Sequence, residues 1–493
     1  MRLFLPAVGV GLFLMAIDQL LAVATYARIG SELHALNSTS WIATSYFLTL
    51  TSFQPLYGKL SDIFGRKPCL LFAYAVFAVG CLGCGLARDI VQLCVARALA
   101  GIGGGGMNAV VSILTADLVP LRDRGIWQGY MNIIASVGTS VGAPLGGFLA
   151  DSVGWRWSFL GQVPLCIIGF VAVYYVVDVP SPPHENWSAK IRQIDFLGAL
   201  TLIAAVVALL LGLDAGSNLG WSHTLTVVAL CLAPVVFAAF VLVEVRFAAY
   251  PFAPGHVIFD KSLFACYLVN FAASAAYIGV LFFVPLFFQA VLGASATRSG
   301  AYLVPAMVAV VIASVGGGWI IRRTERYYWI TVLSMGLGLV AIVPLTVSVW
   351  FQDGLGEVAG TFLMALGYSA VVTTTLVGLI ANSATEDMAL VVASSYLFRS
   401  LGSSIGVSLS AASLQQVLRT QLAARFPDGD EAKKIEEGVR QSLEFIHKLS
   451  PWQAAQVKES YKLATLGGYG PTLIFLVMGF VVSFWIRERP LKK

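Results

Sequence analysis

Three ionisable side chains stand inside long apolar runs. They are Asp18 in LFLMAIDQLLAVA, Arg97 near the head of ARALAGIGGGGMNAV, and Arg399 in LFRSLGSSIGVSLS. A charge at the centre of a bilayer costs about 2.5–3.5 kcal/mol on insertion scales, so each must face a cavity or a partner. A carboxylate removed from water is disfavoured in its ionised form, which equips Asp18 to take up and release a proton. The same carboxylate suits a cationic substrate, and the plain alternative is a structural hydrogen bond to a neighbouring helix. Arginine keeps its charge inside proteins, so Arg97 is a fixed cation and the expected partner of Asp18. On a helix Arg97, Gly101, Gly104 and Asn108 share one face. A charge and an amide separated by bare backbone suit either a cavity wall or a close helix contact. Arg399 either faces the interior or snorkels to the interface. Asn132, Asn270, Tyr277 and Tyr368 are candidate cavity-lining groups.

Two glycine-bearing stretches accompany them. GKLSDIFGRKPCL, residues 58–70, is a charged island between apolar runs, and Gly58, Asp62, Gly65, Arg66 and Lys67 suit a tight turn facing water. In GTSVGAPLGG, Gly138, Gly142 and Gly146 recur at four-residue spacing beside Pro144 and Gly147. This predicts a bare, kinked ridge for helix–helix approach.

The elements that position these groups are membrane helices. The 493 residues are 58% hydrophobic and 12% charged, about half the charge of a soluble domain. The mean hydropathy is +0.81. A water-soluble fold of this composition would expose large apolar patches. About fourteen segments reach the roughly 20 residues a span requires. Basic residues collect in alternate loops: Lys59, Arg66 and Lys67; Arg122 and Arg124; Lys190 and Arg192; Arg246 and Lys261; Arg322, Arg323 and Arg326; Arg487, Arg489, Lys492 and Lys493. The positive-inside rule then puts those loops and both termini in the cytosol. Residues 415–466 form a hydrophilic insert on the opposite side. There Ile435, Val439, Leu443 and Ile446 predict an amphipathic helix, and Ser450-Pro451 predicts the start of another.

Several function classes are excluded. No GxxxxGK[ST] is present, so direct ATP drive is not expected and an ion gradient must supply the energy. No zinc spacing or serine-nucleophile motif occurs. Neither a cofactor, a metal nor an enzymatic activity is expected. The modest net charge of +5 is accounted for by cytosolic loops and does not call for nucleic acid.

Gly58, Asp62, Gly65, Arg66 and Lys67 resemble the cytosolic loop signature of the major facilitator superfamily. Arg97 with GIGGGG resembles its fourth-helix motif, and GTSVGAPLGG resembles the fifth-helix motif of its antiporters. IDQLLAVATYARIGSEL, GWRWSFLGQVP and FRSLGSSIGV resemble its fourteen-helix drug:proton antiporter group. WIATSYFLTLTSFQPLYGKLSDIFGRK and GAPLGGFLADSVGWRWSFLGQVP are similar to fungal vacuolar basic amino acid transporters. The chain departs from the usual pattern at Leu20, Ala27, Ile63 and Ala143.

The resemblance implies an all-α major facilitator fold of about fourteen helices in two six-helix bundles plus two linker helices. The first bundle would span 1–180, the linker 181–250, and the second bundle, with its luminal insert, 251–493. It implies a monomeric, multi-pass proton antiporter that carries basic amino acids across the vacuolar membrane by alternating access, with Asp18, Arg97 and Asn108 at the coupling site. Multidrug:proton efflux at the plasma membrane is the rival reading, and a non-transporting nutrient receptor a third. In the outward-facing state Asp62 would accept hydrogen bonds from the start of a helix in the other bundle, contacts that break on switching. Arg66 and Lys67 would pair with carboxylates such as Asp117.

Overall fold

The computed structural model describes residues 4–489, except 34–39, 120–123, 179–195, 248–254, 259, 295, 385–386, 427–433, 437 and 440–442. Arg122, Lys190, Arg192, Lys492 and Lys493 lie outside the described residues, as do the side chains of Lys59, Arg124 and Asn132.

Local chemistry marks where helices begin and end. Asp89, Asp260 and Asp353 each place a carboxylate on the free backbone N–H groups of a first turn. Ser450 and Gln453 form a reciprocal capping box with Pro451 at the first helical position, as the sequence predicts. Gly65 breaks one helix from the next at φ 97°, a backbone conformation that favours glycine. The resulting long helices are α1 (Phe4–Glu32), α2 (Ser40–Phe64), α3 (Arg66–Leu86), α4 (Ile90–Leu118), α5 (Arg124–Ser152), α6 (Gln162–Val176), α7 (Phe196–Asn218) and α8 (Thr224–Leu242). They continue as α9 (Lys261–Ala290), α10 (Val304–Thr324), α11 (Tyr328–Phe351), α12 (Gly354–Asn382), α13 (Met388–Arg425) and α14 (Pro451–Ser483). No strand occurs among the described residues.

Among the described residues twelve helices are long and apolar enough to cross a membrane, α6 counted together with the short helix Arg156–Leu160 before it. The other two long helices are α2 and α7. In α2 the hydropathy is lowered by Ser45, Thr51, Ser52 and Gln54, all of them buried against other helices. In α7 the described apolar stretch is Leu200–Leu213, and the sequence itself is apolar from Phe196 to Leu213.

Helices α1–α6 enclose one apolar core, centred on Tyr57, Tyr74, Phe77 and Met107. Helices α9–α14 enclose another, centred on Tyr267, Phe287, Leu345 and Tyr469. The two halves meet along α5 with α10 and along α2 with α13. Helix α7 packs on α8 and wedges Leu202, Val206 and Leu210 against Leu397 and Leu401 of α13.

The hydrophilic insert is shorter than predicted. Helix α13 runs on to Arg425 and α14 begins at Pro451, so 415–425 and 451–466 are extensions of those two helices. Ile435, Val439 and Ile446 of the connector are buried in the second core. The Tyr461 hydroxyl of α14 donates to the Val439 carbonyl at 2.8 Å.

Candidate functional site

Asp18 and Arg97 meet inside the first half of the molecule. Arg97 Nη1 donates to Asp18 Oδ2 at 2.6 Å, and Arg97 Nε donates to the Ile42 carbonyl at 3.2 Å. The guanidinium carbon lies 4.3 Å from the Tyr46 ring centroid and 5.6 Å from that of Phe159. Gln162 Nε2 donates to the other carboxylate oxygen of Asp18 at 3.1 Å and to the Ser158 carbonyl at 2.9 Å. Both charged side chains are closed off from solvent, at 0% and 1% exposure. The carboxylate therefore ties α1 to α4 and α6 at once. Gln162 carries no charge and sits at a helix start, so hydropathy gave no reason to single it out.

The glycine run that follows Arg97 brings α4 close to α2 and α3. A side chain at Gly101 would strike the Tyr46 carbonyl of α2 at 2.3 Å, and one at Gly103 would strike the Phe77 nitrogen of α3 at 2.4 Å. The face is a close helix contact, and only at Asn108 does it reach open space. Asn108 is three turns from Arg97, about 16 Å along the helix. The structure therefore brings Asp18 and Arg97 together but leaves Asn108 apart from them.

Asn108 instead lines a cavity of about 280 Å³ between the two halves. Gln19, Gln54, Ser136 and Thr139 line it from the first half, and Tyr277, Gln289, Tyr368, Tyr396 and Arg399 from the second. Tyr277 and Tyr368 stack at 4.4 Å between ring centroids. Asn270 does not line the cavity; its amide donates to the Ser395 hydroxyl at 2.9 Å and joins α9 to α13. Arg399 lies 11 residues into α13, about 16 Å from its start, and faces the cavity. Its guanidinium rests 4.2 Å from the Tyr396 ring centroid.

Sequence profiles of known families match this chain. The profile of the Major Facilitator Superfamily covers residues 8–407. The chain belongs to that superfamily. Over 493 residues it is 37% identical to the vacuolar membrane amino acid uptake transporter fnx2 of Schizosaccharomyces pombe, covering 99% of this chain and 84% of that protein. It is 34% identical to the multidrug resistance protein fnx1 of the same yeast, covering 98% of this chain and 92% of that protein. It is 33% identical to vacuolar basic amino acid transporter 2 of Saccharomyces cerevisiae, covering 87% and 94% respectively. Among solved structures, a bacterial homologue of the human lysosomal transporter Spinster has the same fold, with a TM-score of 0.63, 14% identity and 97% and 95% coverage. The protein is thus a multi-pass secondary transporter of the major facilitator type.

The superfamily's loop signature is organised differently from its predicted latch. Arg66 Nη1 pairs with Asp62 Oδ1 at 2.5 Å, and Arg66 Nε pairs with Asp117 Oδ2 at 3.0 Å, as predicted for that carboxylate. Among the described residues Asp62 makes no bond to the second half. Four-residue spacing places it over Arg66, which takes its carboxylate. Lys67 lies 5.2 Å from the Tyr174 ring centroid of α6. In α5, Gly138 and Gly142 lie against the Phe13 and Ile17 carbonyls of α1, Pro144 is within the helix, and Gly146 and Gly147 are buried. At the far end of α1, outside the apolar stretch, Glu32 accepts bonds from Arg156 and from Trp155 Nε1. The Arg156 bond holds the Glu32 carboxyl below its ordinary value.

A fully buried acid of the second half escaped the sequence reading. Glu357 of α12 is fully buried and accepts bonds from Ser348 Oγ of α11 at 2.6 Å and from the Tyr469 hydroxyl of α14. It stands one residue before the apolar run that begins at Val358, where a glutamate reads as part of a loop.

Proposed function

We propose that this transporter is a proton antiporter that moves basic amino acids across the vacuolar membrane by alternating access. The observation that carries this reading is the enclosed Asp18–Arg97 pair, one residue from Gln19 on the cavity surface. A proton delivered to Asp18 would cancel its charge and leave Arg97 on the Ile42 carbonyl and the Tyr46 face. The tie between α1 and α4 would then loosen, and with it the wall of the cavity. Release of the proton would restore the pair. Asn108, three turns away, would touch substrate rather than the proton.

The amino acid reading draws on the names of the relatives fnx2 and vacuolar basic amino acid transporter 2, which align over most of this chain. The Tyr277–Tyr368 stack and the amides of Gln19, Gln54 and Asn108 suit a cationic side chain through ring faces and carbonyl oxygens. The relative fnx1 and the apolar part of the cavity wall favour multidrug efflux as the second reading. In both, residues 1–180 and 251–493 act as two six-helix bundles on one monomer. The segment 181–250 joins them, and α2 and α7 complete fourteen spans.

Purified protein in vesicles with an imposed pH gradient tests this. Uptake of labelled arginine should compete with lysine and histidine but not with hydrophobic cations. Asp18→Asn keeps the size of the side chain and an acceptor oxygen. It should abolish gradient-driven uptake while the protein remains monodisperse. Normal driven uptake by that variant would remove Asp18 from coupling.

A further inference from the structure

The charge balance of the central cavity is unusual for a carrier of cations. Among the described residues that line it there is one permanent cation, Arg399, and no aspartate or glutamate. The guanidinium packs on the Tyr396 ring, and no carboxylate of the described residues lies within 4 Å of it. Asp18 is committed to Arg97 and Gln162 and does not balance it. An unbalanced cation deep in the membrane needs an anionic partner, and the cavity is where that partner can come from. Two buried acceptors that line the same cavity, one from each half, also lack partners: the amide oxygen Oε1 of Gln54 and the hydroxyl of Tyr277.

We propose that Arg399 is the subsite for the carboxylate of the transported molecule, so that the cavity recognises an α-amino acid headgroup and discriminates against the same cation without its carboxylate. The guanidinium presents donors that match the two oxygens of a carboxylate. The unpartnered oxygens of Gln54 and Tyr277 would take the N–H donors of the ammonium group. A compound that brings only positive charge meets the like charge of Arg399 with nothing to neutralise it. Arg399 would thus separate the two readings of the superfamily member by chemistry. This inference deepens the amino acid reading and rests on it for the identity of the ligand, but the role of Arg399 as an anion subsite can fail on its own.

The test compares binding of arginine, of agmatine (arginine without its carboxylate) and of tetraphenylphosphonium to the full-length purified carrier and to Arg399→Gln. Arg399→Lys is carried alongside to keep the charge if the glutamine variant misfolds. A charge-assisted pair of this kind corresponds to a preference on the order of ten- to a hundredfold for arginine over agmatine in the unaltered carrier. Arg399→Gln should bring that ratio close to one and tighten tetraphenylphosphonium binding, and Arg399→Lys should keep part of the preference. A ratio unchanged in Arg399→Gln overturns the proposal while leaving amino acid transport standing. If the unaltered carrier binds neither arginine nor agmatine, the amino acid reading falls. In that case a tetraphenylphosphonium affinity unaffected by Arg399→Gln overturns the subsite as well, and a gain upholds its repulsion of bare cations.

Discussion

Arg97 makes one ion pair and one backbone bond through its guanidinium, and truncation removes both. Truncation in Arg97→Ala leaves the Asp18 carboxylate buried with only Gln162 to solvate it. Loss of one member of a buried pair costs about 3–5 kcal/mol. Unfolding of the purified protein in mixed micelles should show a destabilisation of that order. Asp18→Asn in the same chain should recover most of it, because no unpaired charge is then left. Equal stability of Arg97→Ala and the unaltered protein would mean that water reaches the pair. These two residues were legible in the sequence because a charge in an apolar run is conspicuous. Their separation from the cavity was not. Whether a side chain on α1 points into its own bundle or across to the other depends on helix rotation, which the apolar pattern of a fully buried helix does not specify. Glu357 was missed for a related reason, because the edge of an apolar run cannot tell a loop carboxylate from one folded back under α14.

At the scale of elements, glycines bring two corresponding pairs of helices into backbone contact. Gly138 and Gly142 of α5 touch the backbone of α1, and Gly402 and Gly406 of α13 touch the Phe271 and Ala275 carbonyls of α9. Without a hydrophobic drive between helices in lipid, such backbone approach is a main source of association. At Gly142 even a methyl group would lie 2.8 Å from the Ile17 carbonyl, whereas at Gly317 of α10 nothing is within 4 Å. Alanine at the two sites should act in opposite directions. Gly142→Ala should destabilise by about 1–3 kcal/mol through overpacking. Gly317→Ala should be neutral or stabilise by up to about 1 kcal/mol through helix propensity. Thermal unfolding of both variants in one detergent reads the difference. The spacing in GTSVGAPLGG announced this ridge. The length of α13 and α14 was hidden, because their extensions beyond the apolar stretch are polar on the outside and hydropathy marks only the lipid-facing part.

For the whole molecule, the question is what the charged turn at Gly65 does during the cycle. Arg66 holds Asp62 and Asp117, which fastens the α2–α3 turn to the end of α4. Both carboxylates are largely exposed, so the contact adds little to stability. Its effect should fall on motion of the half as a unit. In vesicle uptake Asp62→Ala should lower the maximal rate several-fold and leave the half-saturating substrate concentration unchanged. A weakened affinity with unchanged rate would place Asp62 on the substrate path instead. As the proposed anion subsite, Arg399 would also make the carrier an electrical device. Its charge is permanent and lies within the depth over which a membrane potential falls. Moving one elementary charge through 100 mV exchanges about 2.3 kcal/mol. A cavity that trades one aqueous face for the other shifts that cation relative to the field without moving it along its helix. With the proposed anion subsite, the empty return stroke would carry a gating current, and a ligand that neutralises the guanidinium would silence it.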